Sequence, residues 1–414
     1  MDNILLYKAK ARFGEEKLED VAAETMHELE ASGVSIPAGA DIAVAVGSRG
    51  IANIPLIVKT VCGYVKGKGG KPFIIPAMGS HGGATAQGQA AILAGYGITE
   101  ESMGAPVRSS MEVVEIDHTG LPNRVYMDQY AWSSGGVILI NRVKPHTDFR
   151  GDIESGLVKM SVIGLGKHKL AIEIHSFNAW GLANLLIPTA QRIFDQNKVL
   201  LGLAVVENAY DQTALIRALK PQDIVKEEKK LLKTARKWMP ALPADEIDIL
   251  MVDWVGKNIS GSGMDTNIIG RMMIDGLEDH PRPRIGHIII DDLTEASHGN
   301  ATGCGLADFM TKKLFDKIDF PTTNENTLTS TFIRRGKLPM VAGDARQAME
   351  WSFRAFGRLD PDKARIIRIQ DTLHIGELYL SKALAEELSG DDRIQIDGNP
   401  RFLFAEDGSL TPFA

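Results

Sequence analysis

The chain has 414 residues, of which 44% are hydrophobic and 24% charged, values that are ordinary for a globular protein and argue against long disordered regions. Its formal net charge of −7 leaves no basic excess that would favour nucleic-acid binding. Because this length exceeds what one hydrophobic core usually organises, the sequence predicts two domains.

Export and membrane insertion have no support in the sequence. No stretch approaches eighteen uncharged apolar residues, and the N-terminal apolar run is too short for a signal peptide. The two cysteines, Cys62 and Cys304, lie far apart and suggest neither a disulfide framework nor a thiolate zinc site. We therefore expect a cytoplasmic protein with no membrane or nucleic-acid partner.

The first half of the chain alternates helical periodicity with short apolar strands. A helix is expected over residues 15–33, and DIAVAVG (41–47), KPFIIPA (71–77), GGVILIN (135–141) and LLGLAVV (200–206) are typical of buried strands. Parallel strands of this kind gather their carboxyl ends at one edge of a sheet, where ligands bind in open α/β folds. A basic helix over residues 224–240 is interpreted as a solvated face.

The pattern restarts in the second half. Strands are expected at 247–255, 285–293 and 364–370, a helix-rich stretch over 302–357, and a helix over 378–390. The sequence thus predicts two α/β domains with mostly parallel sheets, covering residues 1–245 and 246–414, with a cofactor and substrate cleft between them. Common phosphate-loop, hydrolase and metalloprotease motifs are missing. The segment GSGMDTNIIG (261–270) fits either a plain turn into a helix or a loop that touches an anion.

Three predicted strand ends carry candidate catalytic side chains. The first loop is 47–50, with Gly47, Ser48 and Arg49; the second, at 78–83, carries His81 among glycines; the third carries His146. An arginine fork holds a carboxylate or phosphate, and an imidazole moves protons at neutral pH. Two histidines at one substrate could act as an acid/base pair, although each alone could equally be a surface residue.

The stretch 138–175 contains two further candidates. Lys159 lies in an otherwise uncharged segment, which fits either a lysine at a helix surface with its ammonium in water or a desolvated nucleophile. His175 could be a structural histidine or a functional one. The remaining basic residues of the stretch are interpreted as ordinary surface, apart from Lys144, which stays undecided: His168, Lys167 and Lys169.

Together these residues resemble the nickel-dependent lactate racemase family. The match comprises, in chain order, Arg49, His81, 144–146, Lys159, Gly164 and His175. The resemblance implies a nickel-pincer nucleotide, a pyridinium-3-thioamide-5-thiocarboxylic acid mononucleotide, attached covalently to Lys159 with His175 as the protein ligand of the metal. Imidazole suits a square-planar Ni(II) site.

The resemblance also implies an activity and partners. A racemase or epimerase would invert the carbinol carbon of a 2-hydroxy acid by reversible hydride transfer to the cofactor, with His81 and His146 as acid and base. Arg49 would lie near the substrate carboxylate, and Ser48 and Gly47 near the nucleotide phosphate. The first domain would carry these residues, the second would contribute to the substrate pocket and its closure, and cofactor-synthesis proteins would be partners.

Two departures from the family pattern point to a substrate other than lactate. Lys159 follows His146 by thirteen positions, a longer interval than in lactate racemase. Gly270 and Met273 stand where that family has a glutamine and a lysine. A larger or more polar acid would face the following residues: Thr266, Asn267, Arg271 and His298. The alternatives are another redox or lyase reaction on the same cofactor, and a non-enzymatic regulator that binds a nucleotide or anion.

Overall fold

A computed structural model describes residues 4–48 and 50–413 of the chain. The chain forms two compact units, one made of residues 14–239 and the other of the N-terminal segment together with everything from residue 240. The first strand, β1 (Leu5–Ala11), therefore belongs to the second unit. Within the described ranges, we find no helix with the length and apolarity needed to cross a membrane.

The first unit is built on a five-stranded sheet. Its strands, with a separate hairpin formed by the third and fourth, are β2 (Asp41–Val46), β3 (Lys71–Pro76), β4 (Val113–Ile116), β5 (Val125–Asp128), β6 (Gly136–Arg142), β7 (Val199–Glu207) and β8 (Thr213–Leu219). The sheet order is β3-β2-β6-β7-β8, with parallel pairing except between β7 and β8. The helices are α1 (Val21–Ala31), α2 (Ile54–Gly67), α3 (Ala86–Gly95), α4 (Glu100–Met103), α5 (Gln129–Ser133), α6 (Leu157–Lys159), α7 (Lys167–His175), α8 (Asn178–Asn184), α9 (Leu186–Asp195) and α10 (Pro221–Trp238).

Both faces of this sheet are buried, which explains why its strands are continuous apolar runs. Successive side chains of a strand point to opposite faces. Along β2, Ile42 and Val44 enter the hydrophobic core that includes residues of α2, whereas Ala43 and Ala45 enter the core that includes residues of α6 to α10. The sheet is thus held rigidly, and the loops at its carboxyl edge have a fixed base.

The second unit contains an eight-stranded mixed sheet. Besides β1, its strands are β9 (Glu246–Val255), β10 (Arg284–Leu293), β11 (Phe309–Thr311), β12 (Met340–Ala342), β13 (Ile366–Ile369), β14 (Glu377–Ser381) and β15 (Ile394–Phe402). The order is β12-β11-β10-β9-β13-β14-β1-β15, parallel from β12 to β13 and antiparallel beyond it. Its helices are α11 (Thr266–Ile269), α12 (Lys312–Phe315), α13 (Phe320–Ser330), α14 (Ala345–Phe356) and α15 (Lys382–Glu387).

The predicted α/β class with mostly parallel sheets is confirmed, but one predicted helix is wrong. The segment 378–390 is not helical throughout, because its first part is the buried strand β14, which pairs with β13 and β1. Only α15, beginning at Lys382, is helical there. Side chains of β14 are buried on both faces of the sheet. The apolar residues of this segment therefore do not alternate, and their spacing does not distinguish a strand from a helix.

Candidate active site

Three strand-end loops meet at the carboxyl edge of the first sheet. The chain runs from β2 to β3 on one side and later to β6 on the other, so the strand order reverses at β2. Ligands in open α/β sheets bind at such a reversal. Gly47 packs close to the next strand end, since a side chain there would lie 3.0 Å from Asn141 Oδ1. Arg49 lies outside the described residues.

The loops that follow β2 and β3 are joined through His81. The Ser48 hydroxyl is in close hydrogen-bonding contact with His81 Nδ1, and the Tyr96 hydroxyl donates to the Ser48 carbonyl. His81 is exposed. The structure therefore brings two predicted residues, Ser48 and His81, into one arrangement.

His146 and Lys159 are also in direct contact, through His146 Nε2 and Lys159 Nζ. His146 Nδ1 accepts a hydrogen bond from the Asp148 amide at 3.0 Å, so a neutral imidazole carries its proton on Nε2. Nε2 lies in contact with the Lys159 amine at the end of the short helix that follows this loop. The contact places the Lys159 amine beside the imidazole of His146, a predicted acid/base residue.

Contacts at its base hold the loop that carries His146. Lys144 pairs with Ser155 through backbone hydrogen bonds of 3.0 and 3.2 Å, which closes the loop at its base. Glu154 is buried and accepts from the His146 amide at 2.7 Å. The buried Phe149 ring lies 4.6 Å from the His146 ring and 5.6 Å from Lys159 Nζ.

Lys159 ends the short helix α6, and a buried carboxylate holds the start of that helix. Glu228 of α10 accepts hydrogen bonds from the Leu157 and Val158 amides at 2.6 and 3.1 Å. Gly156 leaves the necessary space, since a Cβ there would lie 2.4 Å from the Glu228 carboxyl. Burial raises the pKa of Glu228 to about 8, against the opposing effect of the two amides. The predicted solvated helix over 224–240 corresponds to α10, and that prediction did not include this buried residue.

Replacing Glu228 by glutamine should change how stability depends on pH. The unfolded carboxyl ionises near 4.5 and the folded one near 8, so its contribution to stability is complete below pH 4.5 and is lost as the pH rises towards 8. Wild-type protein should lose up to about 1.4 kcal/mol per pH unit across that window relative to Glu228→Gln. Urea unfolding at several pH values measures this difference.

The neighbouring Glu227 provides the control for that experiment. It binds Lys230 at 2.8 Å, and this hydrogen bond lowers the pKa of Glu227. Between pH 5 and 8, the free energy of unfolding of Glu227→Gln should therefore run parallel to that of wild type. Parallel stability curves for wild type and Glu228→Gln would contradict a buried neutral carboxyl at this position.

His175 is the last residue of α7, which follows Lys159 after a π-helical turn (Met160–Gly164). The residue is exposed by its overall surface area, yet protein atoms around the ring displace water, and this lowers the pKa of the imidazole. A protonated Lys159 lowers it further, while Asp148 opposes the change. A neutral imidazole is the form that binds a metal.

The prediction for Lys167 is wrong. Its side chain is 0% exposed and forms an ion pair of 3.1 Å with Asp128, which is equally buried. Burial lowers the pKa of Lys167, and Asp128 opposes that shift. His168 and Lys169, by contrast, are exposed as expected. The local sequence, KHK, gives no sign of this burial, because Asp128, which neutralises the charge of Lys167, lies 39 positions away in the chain.

The fold of this protein resembles solved structures, whereas its sequence matches no known family model. No protein-family model and no curated protein matches the sequence. A solved lactate racemase apoprotein from Thermoanaerobacterium thermosaccharolyticum superposes with a TM-score of 0.54 at 11% identity, covering 88% of this chain and 98% of that one. The fold resembles that of this racemase. A crystal structure of a protein from Thermotoga maritima gives 0.52 at 12% identity, covering 87% and 98%.

The predicted site residues of the second unit differ in whether structural contacts already engage their side chains. Arg271 binds Asp308 at 2.7 Å and donates to the carbonyls of Leu306, Ile285 and Gly286, contacts that fix the polypeptide around it. We therefore do not retain it as a substrate contact.

The other candidates of this unit lie in or next to loops. The Asn267 amide group donates to Asp265, the N-cap of α11, and Thr266 is buried. His298 is exposed and has a positive φ of 48°. Asn267 and His298 remain candidates for contact with a ligand.

The second sheet has its own reversal of strand order, between β9 and β13. The loops after these two strands are joined by a hydrogen bond of 2.9 Å from the Asp265 amide to the Thr372 hydroxyl. In the second loop the buried Asp371 carboxylate lies 2.9 Å from Nδ1 of the exposed His374. This aspartate–histidine pair was not among the predicted site residues, although the segment DTLH directly after a predicted strand could have indicated it.

One group of side chains in the described part of the chain could share a cation, namely Glu24, His27 and Glu28 of α1. Both glutamates already pair with Arg217, at 3.6 and 3.0 Å, and Glu28 also accepts from the Ala218 amide. These contacts explain the acidic groups without a metal, and we assign no site there.

Proposed function

We propose that the protein is a racemase or epimerase of a 2-hydroxy acid that works with a nickel-pincer nucleotide. The observation that carries the proposal is the contact between Lys159 and His146, which brings the proposed cofactor anchor to a proposed acid/base residue. The fold likeness to a lactate racemase apoprotein supports the same class.

The side chains present fit such a cofactor. Lys159 would hold it covalently through its amine, and His175 would be the metal ligand, because burial of the ring lowers the pKa of the imidazole and favours the neutral form that binds a metal. Ser48 and Gly47, at the end of β2, are proposed to hold the nucleotide phosphate. The chemistry that the bound group supplies is reversible hydride uptake from the carbinol carbon.

The two histidines are proposed to move the hydroxyl proton of the substrate. His81 is exposed and contacts Ser48 through Nδ1. His146 contacts Lys159, so it would lie beside the point where the cofactor is attached. Arg49, Asn267 and His298 are proposed to bind the carboxylate and polar groups of the acid. Cofactor-synthesis proteins are proposed partners, and a cytoplasmic location is proposed with them.

Production of the protein with and without cofactor-synthesis proteins tests the proposal. Intact-mass spectrometry should show an adduct only with those proteins present, and metal analysis should show nickel in the same sample. Racemisation is then measured on a panel of 2-hydroxy acids that includes sugar acids. An adduct with net formation of a keto acid would favour the alternative redox or lyase reaction. Loss of both adduct and nickel under permissive conditions would refute the proposal.

Replacing His81 or His146 by asparagine should lower kcat by about 10² to 10⁴-fold, the usual contribution of a general acid or base. The adduct should remain in the mass spectrum, because neither residue is proposed to form the covalent bond. His168→Asn is the matched control, since His168 is an exposed histidine of the same stretch. Unchanged racemisation in either variant would remove that histidine from the mechanism.

A further inference from the structure

Lys167 is surrounded by three oxygen atoms in a part of the protein closed to water. Nζ lies 2.5 Å from the Pro76 carbonyl, 3.1 Å from Gln89 Oε1 and 3.1 Å from Asp128 Oδ2. The side chains of Lys167, Gln89 and Asp128 are all 0% exposed. The ammonium donates hydrogen bonds to the Pro76 carbonyl and Gln89 Oε1, and the Asp128 carboxylate supplies the opposite charge. A partner of opposite charge together with hydrogen bonds is what makes a buried charge tolerable.

Each of the three oxygens belongs to a different element. Pro76 ends β3, Gln89 lies in α3, and Asp128 ends β5. Lys167 itself begins α7, the helix whose last residue is His175. The ammonium therefore fixes the start of the His175 helix against the strand that leads into the His81 loop.

Gln89 extends the network to the His81 loop itself. Its amide nitrogen donates to the carbonyl of Gly79 at 2.9 Å and to that of His81 at 3.3 Å. Both ends of the glutamine are thus used, with Oε1 towards Lys167 and Nε2 towards the loop. A loop rich in glycine is otherwise free to adopt many conformations, and these two bonds restrict it.

The backbone of Lys167 shows that its position is imposed by the surroundings. Its φ is +55°, in the left-handed region that a lysine rarely adopts. Strained backbone of this kind persists only where the surrounding contacts determine it. The three contacts of the Lys167 Nζ hold the residue in this conformation.

We propose that the pair of Lys167 and Gln89 is a positioning device that sets the His81 loop and the His175 helix relative to each other. Lys167 holds the start of α7, and Gln89 transmits that position to the backbone of His81. Neither side chain is exposed to a ligand, so both act through other residues. The positioning stands on the contacts themselves, whereas its importance for catalysis rests on the proposed function.

Gln89→Met is the first test, because it removes the bonds to the loop and leaves the ion pair of Lys167 and Asp128 in place. Amides of the loop that are protected by its own hydrogen bonds, such as those of Ala84 and Thr85, should exchange with deuterium on the order of tenfold faster. Exchange elsewhere in the chain should stay as in wild type. Lys169→Met, an exposed lysine of the same helix, is the control and should change neither region.

The double variant Lys167→Met/Asp128→Asn tests the other half of the device. It removes both charges together, so no unpaired charge prevents folding, and asparagine can still accept from the Ala131 amide, 3.0 Å from Oδ1 in wild type. Exchange should rise both in the loop and in the first turn of α7. Imidazole NMR of the apoprotein should also show altered His81 and His175 signals in this variant, and an altered His81 signal in Gln89→Met.

These measurements use protein without cofactor, so they fail independently of the proposed function. Loop exchange and His81 signals that stay at wild-type values in Gln89→Met would overturn the proposal. A uniform rise in exchange over the whole chain would also overturn it, because that result would mean a role in global stability alone.

Discussion

Lys159→Met should abolish the covalent adduct and reduce nickel to background in protein produced together with cofactor-synthesis proteins. A thioether cannot be acylated, so the anchor is lost, whereas a methionine keeps the packing against Phe149. Racemisation should fall to the background of the assay, because the cofactor is then missing altogether. Mass spectrometry of the intact chain, followed by peptide mapping over α6, measures the result.

Lys169→Met is the matched control for that experiment. Lys169 is exposed, lies ten positions further along the same stretch, and makes a contact of 5.2 Å with the Tyr126 ring. It should keep both adduct and nickel. Lys167 is unsuitable as a control, because its replacement changes the stability of the unit. An adduct that persists in Lys159→Met, or one that disappears in Lys169→Met, would contradict the assignment of Lys159.

The parts of the fold that follow from sequence are those set by local pattern. Strands β2, β3, β6 and β7 are buried on both faces, and their continuous apolar runs are recognisable without a structure. The elements that could not be predicted depend on pairing between strands that lie far apart in the chain. Strand β1 lies between β14 and β15, whose residues are more than 360 positions away in the chain. No local signal carries such a pairing.

The same division applies to the candidate site. Strand-end loops were predictable because carboxyl ends of parallel strands share one edge, and the pairs Ser48–His81 and His146–Lys159 lie on those loops or next to them. Gln89, Asp128 and Glu228 were missed. For Glu228 a signal existed, because it shares a helical face with buried Ile224, Leu231 and Leu232. An acidic residue within an apolar stripe indicates a buried partner.

Lys167→Met should have the largest effect on stability, because it leaves the Asp128 carboxylate buried without its cation. Breaking a buried pair in this way costs about 3–5 kcal/mol. Lys169→Met, on the exposed side of the helix, should change the free energy of unfolding by no more than about 0.5 kcal/mol. Urea unfolding of the apoprotein, followed by fluorescence, measures both values.

A double-mutant cycle separates the charge from the packing. Asp128→Asn alone leaves a buried ammonium without its carboxylate, so it should also destabilise the protein, and the double variant should be more stable than the sum of the two single changes indicates. The coupling should lie in the upper part of the range of about 0.5–3 kcal/mol seen for residues in contact, because both groups are shielded from water. Additive effects would mean that the 3.1 Å approach of Lys167 and Asp128 contributes nothing to the folded state, and the positioning of the His175 helix would then need another cause.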